Sequence, residues 1–217
     1  MTDQTRVGLF DLDDSLVDRA GTYARWAAEF SAEHDVPLGW LLRTDPAYSS
    51  RRIAFFELVK TTFDVPGTVT ELHTQYRRRM PELIQPDPAV CAALTALRAA
   101  GWRLGVVTNG MTDNQTAKLR QAGLYDLVDA VVISESIGVR KPDPQIFRHA
   151  LAPLDAEPSP HVVMFGDSLT ADVGGALEAG LSALWISHGR PLPQDGPQPH
   201  QTAATFRDAA QLLLKEA

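Results

Sequence analysis

Five short apolar runs punctuate the chain, each cut off by a polar or turn residue: "RVGLFD" (6–11), "RLGVVTN" (103–109), "AVVIS" (130–134), "VVMFGD" (162–167) and "LSALWIS" (181–187). They are too short for buried helices. Near-continuous apolar strands are what a parallel sheet covered on both faces demands, whereas a half-exposed strand alternates. Helical patterns lie between them. "DPAVCAALTALRAAG" offers Asp87 as N-cap, Pro88 in the first turn and Gly101 as a stop. "TDNQTAKLRQAG" and "DPQIFRHALAPL" are punctuated alike, the second opening on Asp143 and Pro144. Strand alternating with helix predicts an α/β fold, a doubly wound, Rossmann-like parallel sheet.

The alternation fails between about residues 18 and 85. That region reads "YARWAAEFSAEH", "SSRRIAFFELVKTTF" and "VTELHTQYRRRMPELI", amphipathic helical stretches joined by "DVPLG" and "DVPGT". An insert of this kind after the first strand predicts a small α-helical bundle domain at 18–85, with the sheet domain built from 1–17 and 86–217. The Pro- and Gly-rich "GRPLPQDGPQPH" (189–200) predicts an exposed, irregular connection.

In open α/β sheets, ligands bind at the carboxyl ends of the strands. The first predicted strand ends in Asp11, Asp13, Asp14 and Ser15, the second in Thr108, Asn109 and Gly110. Lys141 follows the third, and the fourth ends in Gly166, Asp167 and Ser168, with Asp172 one turn into the next helix. Crowded carboxylates repel, and a hard divalent cation offsets that cost. Mg2+ takes few protein carboxylates, with waters and phosphate oxygens filling its remaining positions. A phosphate would find the Thr108 hydroxyl, the Asn109 amide, loop N–H groups and the compact charge of Lys141. A carboxylate facing such a phosphorus can attack it, and a second carboxyl two residues on lies on the same side of an extended chain, placed for proton transfer. A calcium loop starting at Asp11 would want Gly in sixth place and Glu in twelfth; the chain has Leu16 and Thr22.

Together, "DLDDSL", "VVTNG", "KPDP" and "GDSLTAD" resemble the four ordered motifs of the haloacid dehalogenase-like phosphohydrolase superfamily, and residues 18–85 resemble its helical cap domain. The resemblance implies a phosphatase that hydrolyses a small phosphorylated metabolite through an aspartyl-phosphate. By it, Asp11 is the nucleophile and Asp13 the general acid/base, its backbone carbonyl reaching the metal. Thr108 and Lys141 bind the transferring group, Asn109 and Gly110 shape the phosphate loop, and Asp167 and Asp172 join Asp11 and Asp13 in holding Mg2+. The superfamily's dehalogenases lack an acid/base aspartate at the position of Asp13, because a leaving halide needs no proton, so Asp13 points to phosphoryl transfer. Many members carry Gly where this chain has Asp14 and Thr where it has Ser15. The rival readings are a phosphomutase of the same superfamily acting on a sugar phosphate and a non-catalytic phosphate-sensing module.

The remaining features are plainer. With 27 acidic against 20 basic residues, net -7, the chain lacks the basic excess of a nucleic-acid binder. The N-terminus shows no basic segment followed by an apolar one, and no apolar run reaches membrane-span length, so a soluble, cytoplasmic protein with no membrane partner is expected. The single cysteine, Cys91, forbids an internal disulfide and reads as a buried structural residue. The six histidines show no ligand spacing. Arg77, Arg78 and Arg79 read as a solvated face, the alternative being that one of them, or Arg51 or Arg52, reaches the substrate. Trp26, Phe30, Phe55 and Phe56 read as core of the helical insert.

Overall fold

β1 (Val7–Phe10) lies in the middle of a six-stranded parallel sheet of order β3-β2-β1-β4-β5-β6. The others are β2 (Arg103–Thr108), β3 (Ala130–Ile133), β4 (Val162–Gly166), β5 (Ser182–Ile186) and β6 (Gln201–Ala203). The structure, a computed structural model, describes residues 6–215; residues 1–5, part of the stretch read above for a targeting segment, lie outside it. No helix among the described residues is long and apolar enough to cross a membrane.

Five strands coincide with the apolar runs. β6 does not; it follows the irregular 189–200 segment and pairs parallel with β5, Leu184 opposite Gln201. The chain passes from β1 outward through β2 and β3, then returns to the other side of β1 with β4, so its direction reverses beside β1. Such a reversal opens a crevice at the strands' carboxyl ends. The register is tight there: Phe10 lies opposite Val106 on β2 and Phe165 on β4.

Alternation along β1 sends side chains to two faces. Val7 and Leu9 join Val107, Met164, Ile146, Phe147, Val173 and Trp185 in one core. On the opposite face Phe10 meets Phe165 at 5.0 Å and Phe206 edge-on at 5.4 Å between ring centroids. Phe206 opens α10 (Phe206–Lys215), which packs beside α5 (Pro88–Ala99). Asp87 caps α5 by accepting from Ala89 N, with Pro88 at the first position. Gly101, at φ +85°, ends the turn after it, where a left-handed residue is needed. Cys91 is half-buried, a correction to the buried reading: it lies on the flank of α5, with Sγ 3.9 Å from the Ala122 carbonyl.

The chain divides into two units, one comprising the residues up to Asp18 and from Pro86 onward, the other Arg19–Gln85. The second holds four helices: α1 (Arg19–His34), α2 (Leu38–Tyr48), α3 (Arg52–Thr62) and α4 (Val69–Glu82). The sequence showed three helical stretches there. α2 escaped because Gly39 and Pro46 interrupt its pattern. Its core is aromatic: Trp26 stacks on Phe30 at 4.8 Å and meets Tyr76 edge-on at 4.9 Å, with Phe55 and Phe56 fully buried beside them. Asp45, at the end of α2, binds Arg19 at 2.7 Å and Arg52 at 2.5 Å. Arg52 also lies over the rings of Tyr23, Phe55 and Tyr76 and so belongs to this interior. Arg51 donates to the Ala47 carbonyl, and Arg79 bridges Glu29 and Glu82 on the surface. Thr68 and Glu71 form a reciprocal capping box that starts α4.

Candidate active site

The candidate catalytic, phosphate and metal residues lie in the sheet unit, at the carboxyl ends of β1, β2 and β4 and in the turns after them, with Lys141 contributed by the segment that follows β3. Asp11 follows β1 directly, and its N–H donates to the Phe165 carbonyl at 2.8 Å, extending the β1–β4 ladder by one step. The ladder thereby aims its carboxylate into the crevice. The chain then turns sharply: Leu12 O accepts from Leu16 N and Val17 N, and Asp14 N donates to Val17 O. Asp14 takes φ +58°, the left-handed region that Gly enters freely and Asp tolerates better than most. Its carbonyl lies 2.6 Å from His188 Nε2, which ties the turn to the segment after β5.

Lys141 is the hub. Its Nζ lies 2.6 Å from Asp11 Oδ1, 2.7 Å from Asp172 Oδ1 and 2.6 Å from the Val107 carbonyl. The residue is 3% exposed, and burial alone would lower its pKa; Asp11 and Asp172 outweigh that and raise it, so the amine stays charged. Asn109 fixes its backbone: the amide donates to Lys141 O at 3.0 Å and accepts from Lys141 N at 2.9 Å. The Asn109 side chain is thus committed to seating the lysine, leaving its backbone for a phosphate loop.

Asp167 and Asp172 come from β4 and the turn beyond it. Asp172 N donates to Ser168 O at 3.0 Å and Val173 N to the same oxygen at 3.2 Å, a widened helical turn over Leu169–Gly174 that precedes α9 (Gly175–Glu178). Widened turns of this kind recur at functional sites. The Asp172 carboxylate accepts from Ser168 N at 3.0 Å and packs against Gly166 so closely that a Cβ there would overlap it. The Asp167 carbonyl accepts from Trp185 Nε1 at 2.9 Å and from Arg190 at 2.8 Å.

Asp11, Asp167 and Asp172 each offer an oxygen, all within 4.8 Å of one another. Three acids gathered here, two of them buried, share one close ammonium, Lys141, between Asp11 and Asp172. Burial pushes the Asp11 carboxyl up to about 8; Lys141 opposes the shift, and Asp172 and Asp13 add to it. Burial, Asp172 and Asp14 push Asp167 up to about 6 against Arg190 and His188. Hard oxygen donors whose charges are mutually costly fit a divalent cation of the Mg2+ type. The Asp13 carboxylate lies outside this trio.

The phosphate-loop candidates sit where β2 ends. Thr108 is 1% exposed, and its Oγ1 accepts from Gln115 Nε2 at 2.6 Å. Gln115 lies on α6 (Thr112–Gln121) and reaches Thr108 past Gly110, where a Cβ would come within 2.8 Å of its Cγ. Gly110 is therefore required by close approach. Its N–H already donates to Ser134 Oγ at 3.0 Å, and Thr112 N to Glu135 Oε2 at 2.7 Å, both acceptors on α7 (Ser134–Ile137). Lys141 itself lies just ahead of α8 (Pro144–Leu151), which Asp143 caps by accepting from Gln145 N.

Sequence reasoning missed Gln115 and Lys118. Lys118 Nζ lies 2.7 Å from each oxygen of Asp13, and Gln115 donates to Asp13 Oδ2 at 3.1 Å. Their three-residue spacing, which puts both on one face of α6, was the only available signal. It missed Arg190 and His188 too, which belong to a loop read as irregular or to its margin.

The family model for haloacid dehalogenase-like hydrolases matches residues 6–180. A pyrimidine 5'-nucleotidase of Escherichia coli is 34% identical over 151 residues, 69% of this chain and 65% of that protein, just under two thirds of its length. A glyceraldehyde 3-phosphate phosphatase of Methanothermobacter thermautotrophicus is 31% identical over 191 residues, 82% of this chain and 84% of that one. A HAD-hydrolase of Bacillus subtilis has the same fold, with a TM-score of 0.77 over 97% of this chain and 99% of that one, at 23% identity.

Proposed function

Because the chain belongs to the haloacid dehalogenase-like hydrolase family, we propose that it is a Mg2+-dependent phosphatase acting on a small phosphate monoester through an aspartyl-phosphate. The observation that carries the reading is the convergence on Asp11 of one buried ammonium, Lys141, and two further carboxylates, Asp167 and Asp172. The names of the relatives, pyrimidine 5'-nucleotidase and glyceraldehyde 3-phosphate phosphatase, support a phosphorylated metabolite as substrate.

In this reading Asp11 attacks phosphorus in line. An Asp11–phosphorus bond forms as the ester P–O bond breaks, and Asp13 passes its proton to the departing alkoxide. In the second step water attacks phosphorus, Asp13 takes its proton, and the Asp11–phosphorus bond breaks to release phosphate. Asp13 is thereby reprotonated for the next cycle. Lys141 stabilises charge on the equatorial oxygens, where most of the catalysis in phosphoryl transfer arises. Thr108 Oγ1 already accepts from Gln115, so its own proton is the one it offers the phosphate. Asp11, Asp167, Asp172 and the Asp13 carbonyl would hold the Mg2+, which supplies charge neutralisation at the transferring group. Arg19–Gln85 is assigned as the cap, and the compartment as the cytoplasm.

The test is phosphate release from p-nitrophenyl phosphate and a panel of phosphorylated metabolites, with and without Mg2+. Hydrolysis that needs the metal and disappears in Asp11→Asn is the expected result. Turnover in that variant at the parental rate overturns the nucleophile assignment.

A further inference from the structure

Asp11 and Asp13 lie two residues apart, yet each has its own ammonium. Lys141 takes the first, and Lys118, from the last turns of α6, takes the second across 105 positions of sequence. A lysine in the final turns of a helix ordinarily points to solvent or to the helix's own carbonyls. Lys118 does neither: it is 6% exposed, with its Nζ equidistant from both Asp13 oxygens at 2.7 Å. Burying an ammonium is costly unless it is paired and geometrically well met. Gln115, on the same face of α6, adds a second constraint. Its amide nitrogen donates to Asp13 Oδ2 and to Thr108 Oγ1, joining the proton-transfer carboxyl to the phosphate-loop hydroxyl through one side chain. The missing side chain at Gly110 leaves the space through which that amide passes.

We propose that Lys118, assisted by Gln115, is a positioning residue that orients the Asp13 carboxyl for proton transfer to the leaving group. The inference rests on the phosphatase reading. A carboxyl gripped at both oxygens has a fixed rotamer, and general acid catalysis depends on the proton being aimed at the departing oxygen. Removing the grip leaves Asp13 present but misaimed.

The leaving group separates this role from a structural one. kcat/KM reports only the steps up to formation of the aspartyl-phosphate, in which Asp13 acts as acid. An alkyl phosphate needs that proton, since its alkoxide is a poor leaving group; p-nitrophenolate departs without it. Lys118→Met is expected to lower kcat/KM for an alkyl phosphate at least tenfold more than for p-nitrophenyl phosphate, within the 100- to 10,000-fold span typical of general acid catalysis. Lys118→Arg, which keeps a cation at the site, is expected to recover much of that contrast. Equal loss on both esters, or no loss on either, overturns the proposal while leaving the phosphatase reading intact. A parent protein that hydrolyses neither ester overturns both. Should Lys118→Met fail to fold by circular dichroism, Gln115→Leu carries the same comparison, with the same outcomes deciding.

Discussion

The side-chain amide of Asn109 grips the backbone of Lys141 at both its N–H and its carbonyl, 2.9 and 3.0 Å away. The loop that ends β2 thereby fixes the lysine whose ammonium meets Asp11. One short side chain does for position what the lysine does for charge, and the pair links the end of β2 to the loop ahead of α8, 32 residues further along the sequence.

Asn109→Leu keeps the volume and removes both hydrogen bonds. Lys141 then loses its anchor, and a displacement of about 1 Å at a reacting group can cost roughly 100-fold in rate. Turnover of p-nitrophenyl phosphate is expected to fall by about that factor, with a smaller change in KM. An unchanged kcat in a folded variant contradicts the anchoring role.

Lys141→Met leaves the Asp11 and Asp172 carboxylates buried beside an apolar chain. Removing one partner of a buried ion pair costs about 3–5 kcal/mol. Urea unfolding of the variant is expected to show a loss of that order along with the loss of activity. Loss of activity at parental stability would show that the acids are solvated well enough to need no counter-charge.

Metal removal is expected to be reversible. EDTA should abolish phosphate release and lower the melting temperature; Mg2+ should restore both, because a ligand that binds only the native state stabilises it by about 2.7 kcal/mol at a hundredfold excess over its Kd. In Asp167→Asn the thermal shift with Mg2+ is expected to shrink or vanish. An undiminished shift would remove Asp167 from the metal site.

Asp45 gives the helical unit a pH signature. Burial would raise its pKa, but Arg19 and Arg52 outweigh burial and hold the carboxyl below its ordinary value. The unfolded chain therefore binds a proton at higher pH than the native one does, and the stabilisation is complete above the unfolded value of about 3.9 and drains away as pH falls through the native one. Asp45→Asn leaves two largely buried guanidinium groups without their anion, a loss of about 3 kcal/mol. The gap in unfolding free energy between parent and variant is expected to be constant from pH 5 to 7 and to narrow below pH 4. A gap independent of pH would mean the pair contributes nothing beyond shape.

Much of this arrangement could be read from the residues. The central strands are legible because burial on both faces leaves little room for polar residues within them, so Asp11, Thr108 and Asp167 stand out as the places where an apolar run stops. Those stops and the residues just beyond them (Asp13, Asn109, Gly110 and Asp172), plus Lys141, are the site candidates. β6 is illegible for the converse reason: Gln201-Thr202-Ala203 is short and polar, and it takes its conformation from pairing with β5. Lys118 and Gln115 were hidden because nothing local marks them. A polar face on a helix ordinarily meets water, and only the fold brings this one against Asp13. Asn109 was read as a phosphate donor because an amide beside a phosphate-loop threonine offers the right chemistry; its engagement with Lys141 depends on a loop far along the chain.

Val7 pairs with Arg103 on one side and Val162 on the other. A chain emerging from the ribosome thus carries its first strand for most of synthesis without both neighbours in place, since β4 is made long after Arg19–Gln85 and β2. Asp11, Asp167 and Asp172 stay dispersed until the last of them has been added. A nascent or prematurely ended chain consequently lacks the assembled acid cluster proposed to hold a divalent ion, and the proposed centre comes together only as the last central strand docks.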